Sequence, residues 1–412
     1  MADGASTSAT HGQAPLAIFD DGAGCFGPLT DLRPSFDLRA GVGTLCERIE
    51  AAFGRRADAL LVTPEHGPLL AESGRPTAIG QGVAIAVNGR VLEPGRVAHE
   101  LRPGEALVTK SGELVACWRE FPGRDALQTA PRDARVVEVA LASAPWDFTS
   151  SIARTLDEDL ALFASTRLAA CVRRHLRPDE GQSFGTHPIL IDPTATVGPM
   201  CVLDASKGPI VLGAGAVVRP MSVLVGPCAV LDGSTVAERS LLKASTVIGP
   251  HCRAGGEIGG TIFQSYSNKS HDGHLGDSFV GEWVNIGAGS DNSNLLNTYG
   301  EVIVRLEQGG GLVRTGRQFW GSILGDHVKL AIGTRMMTGT TVGTGAMIAL
   351  STPPALLVPR FAWCVDAPDA PRAFRIEKFL ETARAMMSRR GQAPGPALEA
   401  RLRALHAKAT GA

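Results

Sequence analysis

The sequence predicts an α/β domain followed by a parallel β-solenoid with helices at its C-terminus. Three observations predict this. From Leu212 to Ala254 an apolar residue returns every sixth position (Leu212, Val218, Leu224, Val230, Val236, Leu242, Ile248, Ala254), and a small one follows four residues after each of the first seven (Ala216, Ser222, Cys228, Ser234, Ser240, Thr246, Cys252). The beat resumes at Leu324, Leu330, Met336, Val342 and Ile348. Six is the period of a hexapeptide solenoid, whose short strands form the flat walls of a prism. The large side chain fills the interior and the small one fits the corner. Upstream, apolar runs alternate with helical patterns, as in an α/β sheet.

The elements follow in order. Residues 1–14 are polar and rich in Gly, Ser and Thr, and read as a disordered tail without the basic start and apolar core of a signal peptide. Residues 15–148 form the α/β domain. Leu16–Phe19, Leu60–Val62, Val83–Val87 and Val136–Val139 are its strands, in a mainly parallel sheet, and Val42–Phe53 is a helix. Residues 149–186 connect the domains. Ser150–Arg174 has no Gly or Pro and reads as helical, capped by Asp147 or Thr149. The solenoid takes residues 187–352, with Ile191, Val197 and Leu203 on the beat before an offset at Lys207-Gly208-Pro209. After Pro353-Pro354 the repeat stops. In the extension, residues 353–412, Phe374–Arg390 and Leu398–Lys408 are helices able to cap the open prism.

The beat breaks at Gly255–Gly273 and at Asn292–Phe319. Such breaks read as loops that leave the prism and build the functional site.

Composition excludes several classes. A net charge of −1 over 412 residues implies no basic face for nucleic acid. No run of 18 apolar residues predicts a membrane span. Eight cysteines without a C-x-x-C pair suit a reduced, cytoplasmic protein.

The segment Ser267-Asn268-Lys269-Ser270-His271-Asp272-Gly273-His274-Leu275-Gly276-Asp277 carries the strongest chemistry. His271 is placed to leave the wall, with Asn285 and Asn294 on nearby turns. Acyl transfer to an amine needs one base and one oxyanion donor. Imidazole titrates in the right range, and a backbone N–H of a Gly turn can be the donor. The bland alternative is a polar loop histidine. A zinc site is another, with His271 and His274 joined by a third ligand such as His251 or His327.

In the N-terminal half, Gly22-Ala-Gly24-Cys-Phe-Gly27 fits G-x-G-x-x-G, but Pro28 and Pro34 prevent the helix that a dinucleotide site needs. No lysine precedes Lys110, so Arg33 and Arg39 are the candidate phosphate binders, with Asn88 beside the nucleotide. Asp20 and Asp21 are candidate Mg²⁺ ligands; the alternative is a turn cap and a structural ion pair.

The stretch from His271 to Asp277 and the following Val284-Asn285-Ile286-Gly287-Ala288-Gly289 resemble the acetyltransferase half of the bifunctional N-acetylglucosamine-1-phosphate uridyltransferases. The likeness is closer to a divergent sugar nucleotidyltransferase branch. That branch has S-N-K-x-H-x-G, G-E-W-V-N-x-G-A-G, F-D-D, P-L-T-x-x-R-P, L-R-x-G and P-W-D, here in the same order across almost the whole chain. The resemblance implies a nucleotidyltransferase-like first domain and a left-handed β-helix that forms homotrimers, with acetyl-CoA along the wall and the active site between subunits. It implies His271 as general base and a substrate site with Asn285, Asn294, Asn268, Lys269 and His274. It implies uridylyl transfer from UTP with Mg²⁺ to a sugar phosphate, within UDP-N-acetylglucosamine synthesis.

Two positions depart from the family. His274 replaces its aromatic residue, and Gly259 stands where the family has a phosphate-binding lysine. The missing charge would come from Lys269 or an arginine such as Arg253 or Arg305. A second reading is therefore an N-acyltransferase on another amino sugar nucleotide, with a nucleotide-binding but non-catalytic first domain. A third is a non-catalytic trimeric scaffold.

Overall fold

The computed structural model describes residues 14–121, 123–367 and 372–411; the tail expected over residues 1–14 lies outside them, apart from Ala14. The chain divides into two compact units. One takes residues 14–23, 34–37 and 45–142, and the other residues 24–33, 38–44 and 143 onward.

The first unit is a six-stranded sheet in the order Ala59–Leu61, Leu16–Phe19, Val83–Asn88, Leu114–Glu120, Ala106–Val108, Arg135–Val136. Leu16–Phe19 is buried throughout, as its unbroken apolar run requires. The first three strands are parallel, as are the last two, but Leu114–Glu120 runs antiparallel to both its neighbours, so the sheet is mixed with three of its five pairings parallel. The cause is a hairpin turned at Gly112, whose φ of +85° a side chain would resist. Helices Leu45–Ala52, Gly67–Glu72 and Pro94–Glu100 complete the unit.

In the second unit the connector helix spans Pro145–Leu162. Asp147 fixes its start, accepting the amides of Ser143 (2.8 Å) and Ala144 (3.0 Å). It ends well before Arg174, because Val172–Arg173 is drawn into antiparallel pairing with Ile189–Ile191.

The solenoid has about ten coils of the left-handed type, with three walls of parallel strands. The first wall runs from Thr196–Val197 through Asn268–Lys269 and Asn285–Ile286. The second runs from Gly181–Phe184 to His274–Gly276, and the third includes Ile189–Ile191 and Phe279–Val280. Every large residue of the six-residue beat lies in one buried core except Val197, which is half-buried against it. Each contributes roughly 1.5–3 kcal/mol relative to exposure. Cys228 and Cys252 fill interior slots, and burial pushes both thiols up to about 12.

The two breaks differ in kind. Asn292–Phe319 leaves the prism and forms a small hairpin, Ile303–Val304 with Val313–Arg314. Gly255–Gly273 does not leave it. Its strands stay in all three walls, but the coil is short: Thr235 faces Arg253 eighteen residues on, whereas Arg253 faces Asn268 after fifteen. The coils also continue past Pro353-Pro354, where Leu357–Val358 pairs with Thr341–Val342 and Ala362–Val365 with Met347–Ala349. Helices Ile376–Ser388 and Pro396–Thr410 follow, sharing a core of Phe361, Phe374, Phe379, Leu380, Leu402 and Leu405.

At one corner His251, Tyr266, Trp283 and His327 all have φ near +57°. That conformation costs a non-glycine residue of order 1–3 kcal/mol. Their rings stack down the column at 4.8, 4.4 and 6.3 Å, and such contacts offset part of the cost.

Candidate active site

The second wall stops pairing strand to strand at His274–Gly276. In the next coil, side chains replace backbone. Asp291 Oδ1 accepts the His274 amide (2.6 Å) and Asn292 Oδ1 the Gly276 amide (2.8 Å), while Asn292 Nδ2 donates to the Gly276 carbonyl (3.0 Å). Asn292 is thus a wedge that pairs with both backbone polar groups of one residue, Gly276.

Beside the wedge lies a cleft of about 680 Å³, lined by Lys207, Lys243, His274, Asp277, Asn294 and Phe319 among others. Gly276 makes their convergence possible: a Cβ there would sit 2.7 Å from both His274 Cε1 and Asn294 Nδ2. Asn294 Nδ2 donates to Asp277 Oδ2 at 2.6 Å. Burial nevertheless pushes the Asp277 carboxyl above its ordinary range. His274 Nδ1 lies 3.2 Å from the Asn292 carbonyl, and Nε2 lies 3.8 Å from Glu257 Oε1. In the tautomer that donates from Nδ1, Nε2 keeps its lone pair.

Lys243 is the cation the sequence reading missed. It lies opposite Gly259, and a Cβ on Gly259 would meet its stem at 3.0 Å. Its ammonium is 2.5 Å from Glu257, whose carboxyl it holds below the usual range. The shortened coil hid this pairing, because an eighteen-residue repeat would have set Lys243 opposite position 261. Arg253 and Arg305 are exposed and do not line the cleft.

His271 is exposed at the corner between the first and second walls. On the first wall, Asn268 Nδ2 donates to Asn285 Oδ1 at 2.8 Å, and Ser270 Oγ to Asn268 Oδ1 at 2.5 Å. Among the expected residues, the structure therefore groups Asn268 with Asn285 and His274 with Asn294, on either side of His271. Lys269 is 1 % exposed, and its ammonium points inward, donating to the carbonyls of Gly255 (3.1 Å), His271 (2.9 Å) and Gly273 (2.8 Å). It pins the loop that carries His271 and presents no charge to a ligand in this arrangement.

Burial lowers Lys269 to about 8, against Asp291 and Asp272, which favour its charge. In the unfolded chain the same amine titrates near 10.4. Between pH 8 and 10.4 the unfolded state therefore binds the extra proton, and stability rises with pH through that window. Lys269→Met should remove this slope, up to about 1.4 kcal/mol per pH unit. Urea midpoints measured across the range check it; an unchanged slope refutes the assignment.

The zinc alternative draws no support from its spare histidines. His251 and His327 are spent in the corner stack, and among the described residues no group of three or more His, Cys, Asp or Glu side chains is placed to hold a metal.

The N-terminal candidates are engaged within the chain. Asp20 accepts the amides of Gly22 and Ser35. Asp21 takes a bidentate contact from Arg90 at 2.9 and 2.7 Å and a hydrogen bond from Asn88, and the Arg90 hydrogen bonds and charge hold its carboxyl below the usual range despite burial. Asn88 is buried and also donates to the Leu114 carbonyl. Both carboxylates therefore act as a turn cap and an ion pair here, and do not fit a preformed Mg²⁺ site. Arg33 and Arg39 belong to the solenoid unit. Arg33 pairs with Asp326 at 2.9 Å and Glu282 at 3.0 Å, while Arg39 donates to the carbonyls of Gln264 and Val42. Gly27 opens a four-residue 3₁₀ turn rather than a helix that could meet a pyrophosphate.

Residues 16–168 match the family model for sugar nucleotidyl transferases. The chain is 37% identical to the bifunctional protein GlmU of Gloeobacter violaceus, over 26% of this chain and 23% of that one. Over that stretch the chain is similar to GlmU-type proteins. Further GlmU-type relatives are the bifunctional sugar-1-phosphate nucleotidylyltransferase/acetyltransferase of Sulfurisphaera tokodaii (27%, over 34% and 35% of the two chains) and the GlmU of Methanococcus aeolicus (28%, over 34% of each). The matches span about a quarter to a third of these GlmU-type proteins. Among the described residues no helix is long and apolar enough to cross a membrane.

Proposed function

We propose that the chain is a bifunctional enzyme of UDP-N-acetylglucosamine synthesis: an acetyl-CoA-dependent amino-sugar N-acetyltransferase joined to a sugar-phosphate nucleotidyltransferase. The observation that carries the first half is the cleft at the Asn292 wedge. There His274, Asp277 and Asn294 converge over Gly276 beside a lysine, next to the corner that bears His271. A carboxylate and an amide suit the hydroxyls and amine of a sugar, and Lys243 suits a phosphate.

In this reading the amine nitrogen attacks the acetyl carbonyl as His271 takes its proton. A backbone N–H of the glycine turns holds the oxyanion. The tetrahedral intermediate then collapses, the C–S bond breaks, and the thiolate leaves and is protonated to give free CoA. Asn285 and Asn294 orient the sugar and the acetyl carbonyl.

The nucleotidyltransferase half rests on the family match of residues 16–168. There a sugar-phosphate oxygen would attack the α-phosphorus of UTP and release pyrophosphate. Mg²⁺ bound by the nucleotide would neutralise charge, while Asp20 and Asp21 stay engaged with the turn amides and Arg90. We place the enzyme in the cytoplasm as a homotrimer. Exposed Met200, Met221, Ile332 and Met337 on the solenoid support association between copies.

Thiol release from acetyl-CoA with glucosamine 1-phosphate or UDP-glucosamine tests the first half, and pyrophosphate release from UTP with glucosamine 1-phosphate or its N-acetyl form the second. Both are expected. Thiol release without pyrophosphate release would support the second reading, an acyltransferase with a non-catalytic nucleotide-binding domain. Neither activity on any amino sugar would leave the scaffold.

A further inference from the structure

We infer that the acceptor of the acetyl group is a nucleoside diphosphate amino sugar rather than a sugar monophosphate. This rests on the acetyltransferase reading above and names its substrate class.

The cleft is elongated along the prism, and its cations lie on different rungs of one wall. His274 is on the strand that ends the wall. Lys243 follows the strand two rungs away, Leu241–Leu242, and Lys207 follows Cys201–Asp204, two rungs further still. Parallel strands stand about 4.8 Å apart, so each interval is about 10 Å. A sugar seated at His274, Asp277 and Asn294 with one phosphate reaches the first lysine and ends there. Lys207 lines the same cleft beyond it, with Val225 on the rung between the two lysines and Leu241 on the rung of Lys243.

Val225 and Leu241 are apolar and half-exposed, which suits the apolar parts of a longer ligand. Each lysine has a flexible four-carbon stem with three donors, so the pair can close on a pyrophosphate from two rungs. Gly259 keeps the passage open, since a side chain there would collide with the Lys243 stem. Charge balance points the same way. Glu257 offsets much of Lys243, and Asp204 lies near Lys207, so a single phosphate meets one half-neutralised cation while a diphosphate meets two.

The pyrophosphate of acetyl-CoA has the same chemistry. The acceptor is favoured because the groups that read sugar hydroxyls, Asp277 and Asn294, share the cleft with both lysines. If so, a nucleotidyl-transfer reaction supplies this acceptor, and acetylation follows it.

The test compares UDP-glucosamine with glucosamine 1-phosphate in the thiol-release assay on the full chain. UDP-glucosamine is expected to have a kcat/KM at least about tenfold higher. Lys207→Ala should raise the KM for UDP-glucosamine about tenfold more than that for glucosamine 1-phosphate or acetyl-CoA, and Lys243→Ala should raise the KM of both acceptors. A preference for the monophosphate, or a Lys207→Ala effect confined to acetyl-CoA, overturns the inference. No thiol release from either acceptor sinks the acetyltransferase reading by itself. Calorimetry then decides the site: UDP-glucosamine binding weakened about tenfold by Lys207→Ala upholds it, and equal binding to wild type and variant overturns it.

Discussion

Replacing His271 by Ala is expected to lower kcat for thiol release about 10²–10⁴-fold while leaving the melting temperature unchanged. The magnitude is that of a lost general base. The unchanged stability follows from position: the side chain is exposed, and Lys269 holds the loop by the backbone carbonyls of His271 and Gly273, which the substitution keeps. The comparison variant is His274→Ala. Its ring lies in the cleft, is oriented by the Asn292 carbonyl and approaches Glu257, so it should chiefly raise the acceptor KM. If His274→Ala rather than His271→Ala removed the turnover, the base would have to be reassigned to His274.

The second large effect is on stability. Arg33→Met should destabilise the solenoid unit by about 3–5 kcal/mol, the usual cost of leaving one member of a buried ion pair alone. Asp326 is fully buried and its carboxyl is already raised by burial, against which the Arg33 charge and hydrogen bonds work. A second change, Asp326→Asn, should recover part of the loss because it removes the orphaned charge. Thermal melting of the single and double variants measures both. The result also separates two views of the P-L-T-x-x-R-P motif. A nucleotide ligand at Arg33 predicts normal melting with lost pyrophosphate release, the reverse of the pattern expected here.

That motif shows where sequence reading stops. An arginine beside a proline-rich turn carries the same letters whether it meets a phosphate or a carboxylate, and Asp326 lies 293 positions away. The solenoid, by contrast, was legible residue by residue. Each periodic position repeats a local environment, so Leu212, Val230 and Ile248 all report the same interior slot. Where coil length changes, that advantage is lost. Gly255–Gly273 reads as a departure from the prism because three corner residues are missing, although its strands keep their places. The same shortening concealed the Lys243–Gly259 pairing, and with it the cation of the cleft. Lys269 was misplaced for a further reason. A lysine in a polar motif reads as solvent-facing, and only the alternation of Asn268 out and Lys269 in turns it inward. In the first unit the antiparallel hairpin was missed because its turn is marked by little more than Gly112.

The two ends of the prism share one device. Val172–Arg173 lies antiparallel to the first coil strand, Ile189–Ile191, and Arg372–Ala373 lies antiparallel to Ala362–Trp363. A stack of parallel coils is in principle an open-ended polymer, since each face offers the next molecule the same template. A strand of reversed direction presents the wrong hydrogen-bond phase for a further coil. At each end one of the three walls is thereby closed to a further parallel coil.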